Sequence, residues 1–165
     1  MSAAGGAGDP SWRYSNVGRH FHNAARKFDA RVLAILGERG WDEVRLVHIN
    51  LTRCLDYSGT RLTELAKRAA MTKQAMGELV DECERMGLVE RTADPTDGRA
   101  KIVVFTAPGK RFMGAFRDAI EETEAEITRQ LGAPQVREMK QALADYTEGA
   151  RARAAARRAP RPPAK

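Results

Sequence analysis

The sequence has few of the residues on which several common functional sites depend. Its 165 residues include two cysteines and three histidines, and aromatic residues make up 6%. Cys54 and Cys83 form no CxxC pair, which is typical of a protein from a reducing cytoplasm. His20 and His22 are two positions apart and do not share a helix face. With only His48 remaining, we expect no zinc site and no other metal.

Long apolar runs are also missing. No stretch approaches the roughly 20 apolar residues that a membrane-spanning helix needs. The N-terminus reads MSAAGGAGDPS, without the basic start and apolar core of a secretory signal. No phosphate-binding loop, nucleophile elbow or Cys–His pair is present, so we expect neither an enzyme nor a cofactor. With 42% hydrophobic and 30% charged residues, the sequence predicts a folded cytoplasmic protein without membrane contact.

Positive charge is present but unevenly distributed. The chain has 28 basic and 22 acidic residues, and six of the basic ones lie in 151–165, so residues 1–150 are neutral overall. Bases exceed acids locally in 61–75 and 99–111, whereas acids dominate 118–126. Positive potential is therefore concentrated in the middle third of the chain, where a phosphate backbone would have to dock. The basic tail either adds sequence-independent DNA affinity or only aids solubility.

Apolar residues at steps of three and four predict a series of helices in the first half of the chain. The first runs from Val17 to Leu36 and the second from Val44 to Leu55. A short helix with Thr63 as its N-cap follows, and after a tight turn Thr72 caps a fourth helix that ends at Met86–Gly87.

The pattern then changes to that of a β-hairpin followed by two more helices. Leu88–Ala93 and Lys101–Thr106 are rich in β-forming residues and flank a turn-forming loop at 94–99. A long helix opens near Pro108 and is broken at 132–134, and a last helix ends near residue 150.

This element order predicts a mainly α fold with a small β-hairpin wing, that is, a winged helix-turn-helix core flanked by helices. We expect disorder at 1–15, N-terminal helices at 16–57 and the winged helix-turn-helix domain at 58–109. C-terminal helices should occupy 110–150, followed by a disordered basic tail at 151–165.

The segment Leu62–Gly109 resembles the winged-helix core of the MarR family of bacterial transcription regulators. The matching motifs are TELA at its start, LVDECERMGLVER at the exit from the fourth helix, DPTDGRAK in the wing and FTAPG after it. The flanking helices extend the resemblance to roughly 16–150. It implies an obligate homodimer, joined through the first and last helices, that binds a pseudo-palindromic operator. It also implies a repressor that a small molecule releases from double-stranded DNA.

The fourth helix would be the recognition helix, with its first residues in the major groove. Gln74 could bond bidentately to adenine, Lys73 could donate to guanine, and Ala75 could touch a thymine methyl. Glu78 stands where the family often has Arg; it can accept from cytosine but repels phosphate. The alternative is an ordinary solvated helix face.

In the wing, Asp97 and Arg99 match the family's Asp-x-Arg pattern, with Gly98 where the family often has a further Arg. Arg99 would enter the minor groove, and Asp97 would hold its guanidinium in place. The alternative is a plain hairpin with a surface Arg. The candidate DNA contacts, including the phosphate contacts, are Arg61, Thr63, Lys67, Thr72, Lys73, Gln74, Ala75, Gly77, Glu78, Asp97, Arg99 and Lys101.

Family effectors bind between the dimerisation and DNA-binding parts, which here implies a mostly apolar site for an aromatic acid or its thioester. The candidate ligand-binding residues are His20, Phe28, Trp41, His48, Arg53, Phe112 and Phe116. The alternative is a filled core in which His48 is merely hydrogen-bonded. Two further functions stay open, a winged-helix module for protein contacts and a thiol-based redox-sensing regulator.

Overall fold

The computed structural model describes residues 11–158 and the side chains of residues 11–149. Disorder was expected at 1–15 and 151–165, and of these two segments residues 1–10 and 159–165 lie outside the described residues. In the parts that are described, the chain forms the helix α1 (Trp12–Ser15) and the end of the helix α7 (Ala133–Arg158). Ser11 accepts the Tyr14 N–H at 2.9 Å and closes the short turn, while the alanines and arginines of 151–158 are good helix formers. Composition alone did not reveal either extension.

Two helices precede the helix-turn-helix. In α2 (Val17–Glu38), the Asn16 side chain caps the first turn by accepting the Arg19 N–H at 2.9 Å. The next helix, α3 (Leu46–Cys54), begins two residues after the predicted start at Val44. The reason is that Arg45 is extended, and its N–H donates to Nδ1 of His48 at 3.1 Å, which caps the helix from inside.

The helix-turn-helix consists of α4 (Leu62–Arg68) and α5 (Lys73–Arg85). The α4 N-cap is Arg61 and not Thr63 as predicted, because residues 60–61 are held extended in a strand. In the turn, Ala70 adopts the left-handed conformation (φ 52°), which lets the Met71 N–H reach the Ala66 carbonyl at 2.8 Å. Thr72 caps α5 as predicted, accepting the Ala75 N–H at 3.1 Å.

The wing belongs to a three-stranded antiparallel sheet in the order β1-β3-β2, formed by β1 (Thr60–Arg61), β2 (Val89–Asp94) and β3 (Asp97–Phe105). The two-residue strand β1 is too short to leave a periodic signal, so the sequence did not predict it. Ala93 pairs with Lys101 while the next residue, Asp94, pairs with Asp97. Residues 98–100 therefore form a bulge in β3. Residues 98 and 99, which were predicted to lie in the loop at 94–99, thus belong to the strand.

The helices α6 (Ala107–Leu131) and α7 complete the fold, which is mainly α with a small sheet as predicted. The chain divides into two compact units within α6, after Glu121, whereas the sequence predicted a limit at 109/110. In the second unit Thr123 and Val136 are buried, and Lys140 pairs with Glu124 at 3.0 Å. None of the helices in residues 11–158 is long and apolar enough to span a bilayer.

One hydrophobic cluster in the first unit joins α2 and α3 to the helix-turn-helix, the sheet and the beginning of α6. Its most buried members include Ile35, Leu36, Ile49, Leu51, Leu65, Met76, Val80, Val103 and Phe112. Because α5 shares this core with α2 and α3, a change of packing around α2 can displace α5.

The approach of α6 to the base of the wing requires glycine at position 109. A Cβ on Gly109 would lie 1.8 Å from the Leu88 carbonyl oxygen, which is backbone and cannot move by a rotamer change. We predict that Gly109→Ala destabilises the protein by about 1–3 kcal/mol in urea unfolding followed by circular dichroism.

The matched control is Gly114→Ala in the same helix, where a Cβ would meet nothing within 4 Å. That substitution should stabilise the helix by up to about 1 kcal/mol. Equal unfolding midpoints for the two variants would contradict the close approach of α6 to Leu88.

Candidate nucleic-acid interface

The two faces of α5 differ sharply in exposure. Met76, Leu79, Val80 and Cys83 are buried in the core, as the apolar stripe of the sequence predicts. On the opposite side of the first turns, the side chains of Lys73, Gln74 and Glu78 are exposed. The free N–H groups and positive dipole end of α5 lie at the same place, which favours a nearby anion such as phosphate.

Two of the exposed candidates contact each other. The Gln74 amide nitrogen, Nε2, donates to Oε1 of Glu78 at 3.1 Å across one helical turn. Ala75 and Gly77 are partly buried beside them, and a Cβ on Gly77 would meet nothing within 4 Å. The helix surface is therefore open for close approach next to Glu78.

Arg91 of β2 contacts the candidate recognition helix α5, and sequence reasoning missed it. Its guanidinium pairs with Asp81 at 2.7 Å and with Glu84, and Nη2 donates to the Gly77 carbonyl at 3.3 Å. Arg91 thereby neutralises two carboxylates of the recognition helix and ties that helix to the wing. Only the alternation of side chains along β2 could have suggested this contact, since the partners are far apart in sequence.

Arg61, which was predicted to contact phosphate, is bonded to carboxylates of the hairpin. Its Nε donates to Oδ2 of Asp94 at 2.7 Å, and Nη2 lies 3.5 Å from Oδ2 of Asp97. Asp94 also accepts the Thr96 hydroxyl at 2.7 Å and the Thr96 N–H at 2.8 Å. These Thr96 bonds first, and then Arg61, lower the pKa of Asp94 to about 2. Arg61 thus joins β1 to the hairpin.

The predicted role of Asp97 is not the one that the structure shows. Its Oδ1 accepts the backbone N–H of Arg99 at 3.2 Å, and its other oxygen faces Arg61, so it does not hold the Arg99 guanidinium. Arg99 itself is exposed in the β3 bulge, and within residues 11–149 its guanidinium has no ion-pair partner.

Local charge counts overstated the number of available cations near the helix-turn-helix. Arg68 pairs with Asp56 at 2.8 Å and Glu64 at 3.1 Å and donates to the Cys54 carbonyl at 3.0 Å. With Arg61 also paired, Lys67 and Lys73 are the bases in 61–75 without an ion pair in the described chain. Among the other predicted contacts, Thr63 and Lys101 are exposed, and Thr72 is exposed but occupied as the α5 cap.

Several candidate ligand-binding residues form an aromatic cluster in the first unit. Trp41 meets Phe112 edge-on with ring centroids 5.2 Å apart, and Phe112 and Phe116 lie parallel at 6.1 Å. The Arg53 guanidinium lies 5.7 Å from the Phe116 ring centre and pairs with Asp29 at 3.2 Å. Phe28 is half-buried against the same core. A cation over aromatic rings suits an aromatic carboxylate.

The two histidines of the candidate ligand set behave differently. His20 is exposed near the beginning of α2, and no contact in the described residues connects it with the aromatic cluster. His48 is 1% exposed, and its Nε2 lies 3.4 Å from Oε2 of Glu82, too long for a well-formed hydrogen bond. His48, followed by Arg45 and Arg85, lowers the pKa of Glu82. His48 thus lies in the core, where its Nδ1 accepts the Arg45 N–H and its Nε2 has no hydrogen-bond partner within the described residues.

The cysteines offer little support for redox chemistry. Burial raises the pKa of the Cys83 thiol to about 12, so thiolate is scarce near neutral pH. Cys54 is half-buried at the end of α3. Over the range that the structure describes, no group of three or more His, Cys, Asp and Glu side chains could hold a metal ion.

The helices and the wing have the arrangement of a winged helix-turn-helix protein, and comparisons with known proteins agree. Residues 55–100 match the model of the MarR family. The HTH-type transcriptional repressor Rv2887 of Mycobacterium tuberculosis is 33% identical over 85 residues, which are 52% of this chain and 61% of the relative. The transcriptional regulator HosA of Escherichia coli is 33% identical over 70 residues, 41% of this chain and 52% of that protein. The match thus spans about three fifths of the first relative's length.

Solved structures are similar to this chain over a longer stretch than the winged-helix segment. Rv2887 in complex with p-aminosalicylic acid has a TM-score of 0.61 at 25% identity, over 81% of this chain and 99% of that one. The reduced form of MarR from E. coli has a TM-score of 0.68 at 21% identity, over 79% and 96%. CouR from Rhodococcus jostii bound to p-coumaroyl-CoA has a TM-score of 0.63 at 21% identity, over 80% and 92%. The winged-helix segment of this chain is thus similar to that of MarR-family regulators, and its fold is the one these structures share.

The Asp94 site predicts a specific acid sensitivity. Because the pKa of Asp94 is lowered in the folded state, its contribution to stability is complete above about pH 4 and is lost as the pH falls towards 2. We predict that Asp94→Asn lowers the unfolding midpoint at pH 7. Between pH 4 and 2 it should also reduce proton uptake on unfolding by up to about one proton. Urea titrations at several pH values measure both effects.

Asp42→Asn is the control, because Asp42 is exposed and has no hydrogen bond or ion pair in the described residues. Its acid dependence should match that of the unmodified protein. If Asp94→Asn also matches it, the buried Asp94–Thr96–Arg61 contacts do not stabilise the wing.

Proposed function

We propose that this protein is a dimeric DNA-binding transcription regulator that acts as a repressor on a pseudo-palindromic operator. The observation that carries the proposal is the start of α5, where exposed Lys73 and Gln74 sit at a capped helix N-terminus inside a MarR-type winged-helix core. The repressor name of the relatives supports the direction of regulation.

A second copy of the chain is part of this proposal. The second unit exposes large apolar side chains on α6 and α7, and the first unit does so near its beginning. These residues are Trp12, Tyr14, Val17, Phe21, Leu131, Met139, Leu143 and Tyr146. Large apolar side chains that are exposed in such number are typical of regions that form protein–protein interfaces. A homodimer would cover it and place two recognition helices on half-sites about one helical turn, roughly 34 Å, apart.

Selection of bound DNA from a random library tests the proposal directly. We expect a consensus with two-fold symmetry, because a symmetric dimer reads both half-sites alike. Affinity for that consensus should fall steeply between about 50 and 200 mM salt, as counterion release requires. A selected pool without a consensus, or binding that is indifferent to salt, would instead favour a winged-helix module for protein contacts.

In the wing, Arg99 is proposed to enter the minor groove. Its guanidinium has no ion pair to give up in residues 11–149, so its charge is available to DNA. We predict that Arg99→Ala weakens operator binding by about 1–3 kcal/mol in fluorescence anisotropy and lowers the salt slope by about one. Lys27→Ala, which removes an exposed base from α2, should change neither quantity. Unchanged affinity of Arg99→Ala would exclude the wing contact.

We further propose that an aromatic carboxylic acid is the effector. Supporting observations are the Trp41–Phe112–Phe116 cluster with Arg53 over the Phe116 ring, and the salicylate and p-aminosalicylate complexes of the relative Rv2887. The ligand carboxylate would replace Asp29 at the Arg53 guanidinium, and its ring would pack on the aromatic side chains.

Salicylate is the probe for this site, and Trp41 is the reporter. In a Trp12→Phe background, salicylate should quench Trp41 fluorescence in a saturable manner. Arg53→Ala should weaken that binding about tenfold, since a charge-assisted contact is lost. His20→Ala should leave it unchanged, because His20 is not in the aromatic cluster. Equal quenching in the Arg53 variant would place the acid elsewhere.

A further inference from the structure

The Gln74–Glu78 contact restricts the orientation of both side chains on the exposed start of α5. A carboxylate can only accept hydrogen bonds, so the Gln74 amide must turn its nitrogen towards Glu78. The Gln74 carbonyl oxygen, Oε1, is therefore directed away from Glu78. The contact itself fixes the orientation of the amide, because only the amide nitrogen can donate to a carboxylate.

Glu78 keeps its negative charge on this surface. Arg91 pairs with Asp81 and Glu84 of the same helix, but in residues 11–149 no cation pairs with Glu78. The joined side chains thus present two free acceptor atoms, Oε1 of Gln74 and Oε2 of Glu78, and a single remaining amide N–H.

The chemistry of the major groove decides what such a surface can bind. Adenine and cytosine present amino donors at N6 and N4, whereas guanine and thymine present acceptors at O6, N7 and O4. An unpaired carboxylate near phosphate is repelled, so Glu78 is compatible with DNA only where it gains a donor. The amino groups are the donors that the base edges offer there.

We propose that Gln74 and Glu78 form one reading unit that selects the amino groups of adenine and cytosine at two adjacent base pairs. Gln74 would bond to adenine with its carbonyl oxygen and remaining N–H, and Glu78 would accept from cytosine N4 or adenine N6. This inference rests on the proposed function and adds a specificity determinant to it.

The test compares unmodified protein with Glu78→Gln in selection from a random DNA library, followed by anisotropy on single-base variants of the consensus. The unmodified dimer should require adenine or cytosine at two adjacent positions of one strand in each half-site. Glu78→Gln is isosteric and supplies a donor, so discrimination against guanine at one of those positions should fall about tenfold. Gln74→Ala should lose less affinity in the Glu78→Gln background than alone, because an amide at position 78 can also donate and no longer fixes the orientation of the Gln74 amide.

Glu43→Gln is the matched control, since it removes the same charge from an exposed residue outside α5 and should leave base preference unchanged. Guanine or thymine at those positions, or equal tightening of all sequences by Glu78→Gln, would overturn the reading unit while leaving the regulator intact. Failure of the unmodified protein to select any consensus would contradict the proposed function itself. Unchanged thermal unfolding of each variant ensures that base preference is compared between folded proteins.

Discussion

The position of α5, the candidate recognition helix, depends on the burial of one stripe of side chains. Met76, Leu79, Val80 and Cys83 insert into the core that also contains the ends of α2, α3 and α6. Burial of each larger apolar side chain contributes about 1.5–3 kcal/mol, which exceeds what an exposed ion pair adds. Burial of this stripe fixes the rotation of α5 about its axis. Gln74 and Glu78 are exposed because they lie on the opposite face of the same helix.

Polar contacts add further connections between the helices and strands that hydrophobic packing brings together. Arg91 connects α5 to β2, Arg61 connects β1 to the hairpin, and Arg45 at the start of α3 pairs with Glu82 of α5. Each contact joins elements that are distant in sequence. The ion pairs of Arg91 and Arg61 also neutralise charges that would otherwise be free at the candidate interface. The free charge on that interface is therefore smaller and more localised than the composition indicates. It is concentrated in Lys67, Lys73, Lys101 and Arg99.

Periodicity predicted the winged-helix order well because each long element repeats its own pattern several times. The caps at Thr72 and the stripe from Met76 to Cys83 were readable for the same reason, since both are encoded within a few consecutive residues. The sequence did not predict β1, the bulge at 98–100 or the true α4 cap at Arg61. A two-residue strand and a bulge have no period of their own, and they exist only where a partner strand fixes their conformation.

By itself, the sequence determined the helices, the hairpin and which side of α5 is polar, because local propensity and apolar spacing act within one segment. Only the tertiary structure decided which charged side chains remain available. It assigned Arg61 to Asp94, Arg68 to Asp56, Asp97 to the Arg99 backbone and His48 to the core. Ion pairs and buried hydrogen bonds require groups from different elements to meet at about 3 Å, and no linear pattern encodes that distance.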